Sequence, residues 1–213
     1  ATKDPKKKSE ILREIVGSYL FKDILTFENV KSSKLLSDLL RLIAFQIGNE
    51  VSLTELGNQL QVDYKTIARY LDLFEKSYIL YNLRGFSRNL RKEVTKKSKY
   101  YFYDTGIRNA VIFNTNPIEV RNDVGQLWEN FLVMERLKKQ EYTKLYSNNY
   151  FWRTWDGQEI DWIEEREGKV FGYEFTFSKE KAARKKEPKD WKNAWEETSY
   201  EVVHNENYLD FVT

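Results

Sequence analysis

The sequence predicts an α/β (α+β) protein, a winged helix-turn-helix followed by a second part made of strands with helices around them. Three observations predict it. Residues 33–77 read as helix, short helix, turn, helix. Two strand-like runs then follow, YILYNL and KYYFYD, joined by the basic stretch RGFSRNLRKEVTKKSK. Further on, QEIDWIEEREGKVFGYEFTFS (Gln158 to Ser178) has two apolar-rich arms around Glu167-Gly168, the pattern of a β-hairpin.

The 213 residues, 41% hydrophobic and 15% aromatic, supply a packed core for one large or two small domains. Net charge is only +2, but residues 1–120 carry 20 Lys and Arg against 14 Asp and Glu, and the remainder 15 against 19. The first part is therefore the expected polyanion binder. The absence of cysteine excludes disulfides, thiolate catalysis and cysteine zinc sites, and fits a reducing cytoplasm. His204 is the single histidine, read as structural. No apolar run reaches the roughly 20 residues of a membrane helix, so no membrane partner is expected.

Taken in order, residues 9–26 have the apolar spacing of an amphipathic helix, and SKLLSDLLRLIAFQIG gives a second that stops near Gly48-Asn49. In VSLTELGNQLQ, Ser52 and Glu55 have capping-box spacing, and Asp63 is placed to cap the helix DYKTIARYLDLFEKS. Ile67, Tyr70, Leu71 and Phe74 form that helix's apolar face; Lys65 and Arg69, four apart, fall on another. As a winged helix, this unit would turn Lys65, Thr66 and Arg69 to a major groove. Its loop, with Arg84, Arg88, Arg91, Lys92, Lys96 and Lys97, would ride the phosphates of duplex DNA. Asp104-Thr105-Gly106 opens a short helix, and Asn116-Pro117 marks the boundary between a first domain, 32–116, and a second, 117–213. DVGQLWENFLVMERLKKQ is a helix with Glu129 among apolar neighbours. KLYSNNYFWRTWDG supplies a strand and turn, SKEKAARKKEPKDWKNAWEE a helix broken near Pro188, and SYEVVHN and YLDFV two closing strands. No GxxxxGK[ST] phosphate loop occurs, so this stretch does not bind ATP that way.

With a two-residue turn at Glu167-Gly168, Arg166 opposes Lys169, Asp161 opposes Glu174 and Glu159 opposes Thr176. Opposed residues share a face, with Cβ atoms about 4.5–5.5 Å apart. Trp162 and Tyr173 then share the other face, under a helix. Two carboxylates that close repel unless a cation stands between them; a divalent metal such as Mg2+ is one solution, and exposure to solvent is another.

The chain resembles the C-terminal half of a large group of bacterial and archaeal AAA-type ATPases, in which a P-loop module is followed by a region of unknown function. The resemblance rests on six stretches in order: REIVGSYLFKDIL, TELGNQLQVDYKTIARYLDLFEKSYILYNL, KYYFYDTGIRNAV, GQLWENFLVMERL, YFWRTWDGQEIDWI and GYEFTFS. It implies that residues 1–31 are a helical linker from an ATPase module lying before this sequence, which would hold ATP and be a partner. It also implies a winged helix and then a restriction-endonuclease-like mixed sheet flanked by helices, the PD-(D/E)xK fold. There a helix glutamate, a strand aspartate and a Glu-x-Lys motif surround magnesium. The matching positions are Glu129, Asp161 and Glu174, which would be both catalytic and metal ligands. The lysine position is Thr176, whose hydroxyl carries no positive charge, and so the resemblance implies a nuclease-like domain that does not cleave.

Three functions follow as expectations. The first is a cytoplasmic accessory region of an ATPase that contacts duplex DNA through its winged helix. The second is a Mg-dependent DNA endonuclease using Glu129, Asp161 and Glu174. The third is a protein-interaction module with no nucleic-acid role.

Overall fold

The computed structural model describes residues 4–19, 32–86, 98–194 and 198–213. It is a mixed α/β structure whose seven strands hydrogen-bond in the order β1-β3-β2-β4-β5-β6-β7: β1 (Glu50–Val51), β2 (Leu80–Gly85), β3 (Ser98–Phe102), β4 (Asn148–Arg153), β5 (Glu159–Arg166), β6 (Lys169–Phe175) and β7 (Thr198–Val203). Two compact units are formed, one from residues 1–82 and 100–121, the other from 83–99 and 122–213. The second unit takes 83–99 because the end of β2 pairs in parallel with β4, Arg84 with Tyr150 and Gly85 with Phe151. The boundary expected at Asn116-Pro117 allows for no such exchange.

The first unit begins with α1 (Pro5–Glu14), which runs into a π-helical turn, Ile15–Tyr19. The rest of the helix expected over 9–26 lies outside the described residues. In α2 (Ser33–Phe45), Ser32 accepts the Leu35 N–H as N-cap, and Leu36, Leu39, Leu40 and Ile43 are buried. Next, α3 (Leu53–Leu60) starts at Ser52, whose hydroxyl accepts the Glu55 N–H as the capping spacing requires. Gln61, in the left-handed region with φ 56°, turns the chain. Asp63 then caps α4 (Tyr64–Lys76) by accepting the Lys65 N–H at 2.6 Å. Gly57 makes this turn possible, since a Cβ there would lie 2.7 Å from the Val62 carbonyl oxygen. Asp104 caps α5 (Thr105–Val111). Buried Arg108 on α5 donates to the Ala44 carbonyl at the end of α2.

In the second unit, β4, β5 and β6 are antiparallel neighbours and β7 runs parallel to β6. The hairpin turns at Glu167 (φ 54°) and Gly168 (φ 76°), with Arg166 opposite Lys169 and Trp162 opposite Tyr173. Two successive positive φ values give the twist a two-residue hairpin needs. Between Tyr150↔Ile163 and Trp152↔Ile160, β5 carries one residue more than β4. That extra residue lets Ile160 and Ile163 enter the same core with Phe86, Trp152, Val170 and Trp191. Trp191 belongs to α8 (Lys189–Ala194), which follows the single-turn α7 (Lys179–Ala182); the break near Pro188 is where the sequence places it.

The other face of the sheet packs under α6 (Val124–Thr143) and α9 (Tyr208–Val212). Trp162 and Tyr173 lie on this side. The Trp162 Nε1–H donates to Glu164, the Arg136 guanidinium of α6 sits 5.5 Å over the Tyr173 ring, and Phe211 of α9 packs on Tyr173 and Phe175. The segment YLDFV is thus a helix, not the strand its apolar alternation predicts. Arg136 donates to the Phe211 carbonyl and Lys139 to the Asp210 carbonyl, at 2.5 and 2.8 Å. Cationic side chains on the last carbonyls favour a helix end. No described helix is long and apolar enough to cross a membrane.

Candidate functional site

The acids of the hairpin and of α6 meet around a lysine that the sequence reading assigned to a basic loop. Lys99, in β3, is 1% exposed. Its ammonium lies 2.6 Å from Glu159 Oε1, 3.5 Å from Glu129 Oε1 and 3.6 Å from Asp161 Oδ1. Its stem and charge also face the buried Phe151 ring, 5.3 Å from the ring centre. All of these residues belong to the second unit. Asp161 gives its other oxygen, Oδ2, to the Phe175 N–H at 2.8 Å. That bond fixes the carboxylate against β6, just beyond the last paired residues of the two strands, Trp162 and Tyr173.

Glu174, next to Phe175, is buried and is held by the Lys185 ammonium through Oε1. Its Oε2 is buried without a hydrogen-bond partner. Strand alternation turns it away from Tyr173, toward the side that carries Trp191.

Electrostatics follow from this packing. Burial on its own would pull the Lys99 pKa down, but the charges of Glu129, Asp161 and Glu159 outweigh it and hold the group above its ordinary range. Burial raises the Asp161 carboxyl, against the pull of Lys99 and the Phe175 N–H. Burial, then the Asp161 charge, push Glu174 up to about 8; Lys185 opposes this, but it is 44% exposed and solvent screens it. Tyr200 is raised well above its usual range by burial and by the same two acids.

Glu129 and Asp161 are therefore brought together through Lys99, while Glu174 feels the Asp161 charge but is held by a different cation. The magnesium that the resemblance implies does not fit this arrangement. Such an ion requires several oxygens pointing at one centre, and among the described residues no group of three or more His, Cys, Asp or Glu is disposed to hold a metal. The centre of the carboxylates is taken by an ammonium.

Lys179 and Lys181 are the first lysines beyond Thr176. Lys179 pairs instead with Glu206 at 2.6 Å, and Lys185 is the one that reaches Glu174. Because α7 is only one turn long, the chain bends back at 183–188 and returns a later lysine. The signal for Lys99 was in KYYFY: a lysine opening a strand so apolar that both its faces are buried must find carboxylates.

Of the expected DNA-contacting residues, Lys65, Arg69 and Arg84 are exposed and Thr66 is partly buried. The Arg69 guanidinium lies 5.3 Å over the Tyr70 ring. Arg88, Arg91, Lys92, Lys96 and Lys97 lie outside the described residues.

The family described as Domain of unknown function (DUF8612) matches residues 1–118, more than half of the chain. The chain belongs to the DUF8612 family. A second family, Domain of unknown function (DUF4143), matches residues 124–210. Lys99 thus comes from the DUF8612 stretch, whereas Glu129, Glu159, Asp161, Glu174 and Lys185 come from the DUF4143 stretch. An uncharacterized protein of Mycobacterium tuberculosis is 30% identical over 137 residues, covering 62% of this chain and 30% of the relative. One of Methanocaldococcus jannaschii is 22% identical over 165 residues, 75% and 35% of the two chains, and one of Haemophilus influenzae 26% over 141 residues, 64% and 34%. The matched stretch of the chain spans about a third of the length of these curated relatives. No solved structure matches it.

Proposed function

We propose that this chain is the accessory region of a prokaryotic AAA-type ATPase, that it contacts duplex DNA through a winged helix, and that its nuclease-like second unit does not cleave. The ATPase setting is supported by the DUF4143 match, since that domain occurs in AAA ATPase-associated proteins. It is supported too by relatives about twice as long, with room for a nucleotide-binding module. On this reading ATP is bound by that module and not by these residues.

One observation carries the DNA contact. The helix α4 buries Ile67, Tyr70, Leu71 and Phe74 and leaves Lys65 and Arg69 exposed in its first two turns, behind a tight turn from α3. Two cations on the free face of the second helix of such a pair form the expected electrostatic footprint. The endonuclease reading has less support, because each of its three acids is bonded to a lysine and Thr176 supplies no charge.

Fluorescence anisotropy with a labelled duplex tests the reading. Binding should weaken with salt, with a slope of about −0.9 per neutralised phosphate. The double variant Lys65→Ala/Arg69→Ala should lower that slope by about two contacts' worth and weaken all sequences alike. Absence of binding at about 50 mM salt, where phosphate contacts are strong, sinks the reading.

A further inference from the structure

Four carboxyl groups, Glu129, Glu159, Asp161 and Glu174, lie in one region of the second unit, and a metal does not fit them as they stand. The question is what holds them together. Lys99 is the group in contact with three of the four. An ammonium has three donors, and three carboxylates surround this one. Its position is set from outside the acidic segments, by a strand residue whose stem is buried beside Phe151.

We propose that the Lys99 ammonium is the built-in cation of this acidic centre, standing where a divalent ion would stand between the carboxylates and closing the centre to such ions. Lys185 completes the arrangement by holding Glu174. The positive charge missing at Thr176 is thereby supplied from two other places in the chain, and both of these cations are engaged by the acids instead of remaining available to a phosphate. This deepens the reading above and rests on its statement that the second unit does not cleave.

A further consequence is that the second unit's centre is complete only with β3. The acids lie in the DUF4143 stretch and their cation in the DUF8612 stretch. A protein lacking residues 83–99 would leave three carboxylates facing one another with no charge between them.

Manganese(II) is the probe, titrated into the full chain and followed by the loss of the free-ion electron paramagnetic resonance signal. Wild type should bind it no better than an Asp161→Asn control. Lys99→Met keeps most of the stem's bulk and removes the charge; it should bind Mn2+ at least about tenfold more tightly than wild type, a difference of about 1.4 kcal/mol. The double variant Lys99→Met/Asp161→Asn should lose that gain. Wild-type binding as tight as that of Lys99→Met overturns the proposal, and so does a folded Lys99→Met that gains nothing. Should Lys99→Met fail to fold, the wild type still decides. In 15N NMR spectra, selective Mn2+ broadening of the Phe175 amide and Lys99 ammonium signals refutes the proposal, and sharp signals support it. The two readings fail separately. Tight Mn2+ binding by wild type without DNA cleavage overturns this inference alone, whereas absence of duplex binding overturns only the DNA contact.

Discussion

Arg136 and Glu164 form a two-pronged ion pair inside the second unit, Nε to Oε1 at 2.5 Å and Nη2 to Oε2 at 2.8 Å, with both side chains buried. Gln140, Trp162 and Arg166 also donate to the same carboxylate. The third arm of Arg136 reaches the Phe211 carbonyl. One arginine thus ties α6, β5 and α9 together. Burial would raise the Glu164 pKa, but the bond and charge of Arg136, with Trp162 and Gln140, outweigh it and hold the carboxyl below its ordinary range. Glu164→Gln leaves a buried guanidinium without its counter-charge and should destabilise the protein by about 3–5 kcal/mol. Urea unfolding measures this, and removing both partners in Arg136→Met/Glu164→Gln should cost less than the single change. An unchanged midpoint for Glu164→Gln would show that the pair does not hold the unit.

Glu174 gives stability the opposite dependence on pH. The folded protein holds its proton up to about pH 8, well above the ordinary carboxyl value of 4.5. Its favourable contribution is therefore full below the unfolded pKa and is lost as pH rises through about 8. Glu164, whose folded pKa is depressed, contributes above its unfolded pKa and loses that contribution as pH falls. The two together place maximum stability on the mildly acidic side of neutrality. From about pH 5 to 8 wild type should lose on the order of 2 kcal/mol. Glu174→Gln should flatten that slope. Thermal melts across this range measure it, and parallel slopes for the two proteins would remove Glu174 as the cause.

The turn between α3 and α4 depends on the absence of a side chain at Gly57. A Cβ there would come within 2.7 Å of the Val62 oxygen and 3.4 Å of the Tyr64 nitrogen, both backbone atoms that cannot swing aside. Gly57→Ala should cost about 1–3 kcal/mol, as overpacking does. It should also weaken duplex binding in proportion, because the turn sets the direction of Lys65 and Arg69. Asn58→Ala, at an exposed neighbour on the same helix, is the control. If Gly57→Ala melts with wild type, the close approach is not what shapes the turn.

Local signals made much of this fold legible. Ser52 with Glu55 and Asp63 with Lys65 are caps made between near neighbours, and their spacing alone located α3 and α4. The pairing of Trp162 with Tyr173 followed from a two-residue turn and a period of two. What was not legible depended on distant segments. Lys99 reads as one more charge in a basic run until β3 carries it beside α6 and β5. The helical state of YLDFV is set by Arg136 and Lys139, far earlier in the chain. The extra residue in β5 leaves no mark in the alternation of EIDWIEE, because polar and apolar residues already break it there. Convergence of Glu129 with Asp161 came from a family resemblance; the lysine between them came only from the structure.

Thr176 is the last place where sequence and structure make different demands. Its N–H donates to the Val203 carbonyl at 3.0 Å, so the backbone is fixed and only the side chain is open to exchange. If the missing lysine were all that separates this unit from a nuclease, Thr176→Lys would restore cleavage. The geometry argues otherwise. Lys99 would still hold Glu129, Glu159 and Asp161, and Lys185 would still hold Glu174, so a third ammonium would add charge to acids already engaged. One electrostatic partner is commonly worth about 10²–10³ in rate, but only where the rest of the site is assembled. Thr176→Lys should therefore leave supercoiled plasmid intact with magnesium or manganese, and should bind Mn2+ no better than wild type. Combined with Lys99→Met, it should bind Mn2+, since the centre is then open. Metal-dependent nicking by Thr176→Lys alone, abolished by adding Asp161→Ala, would show that Lys99 does not close the centre and that one lost lysine is the whole difference.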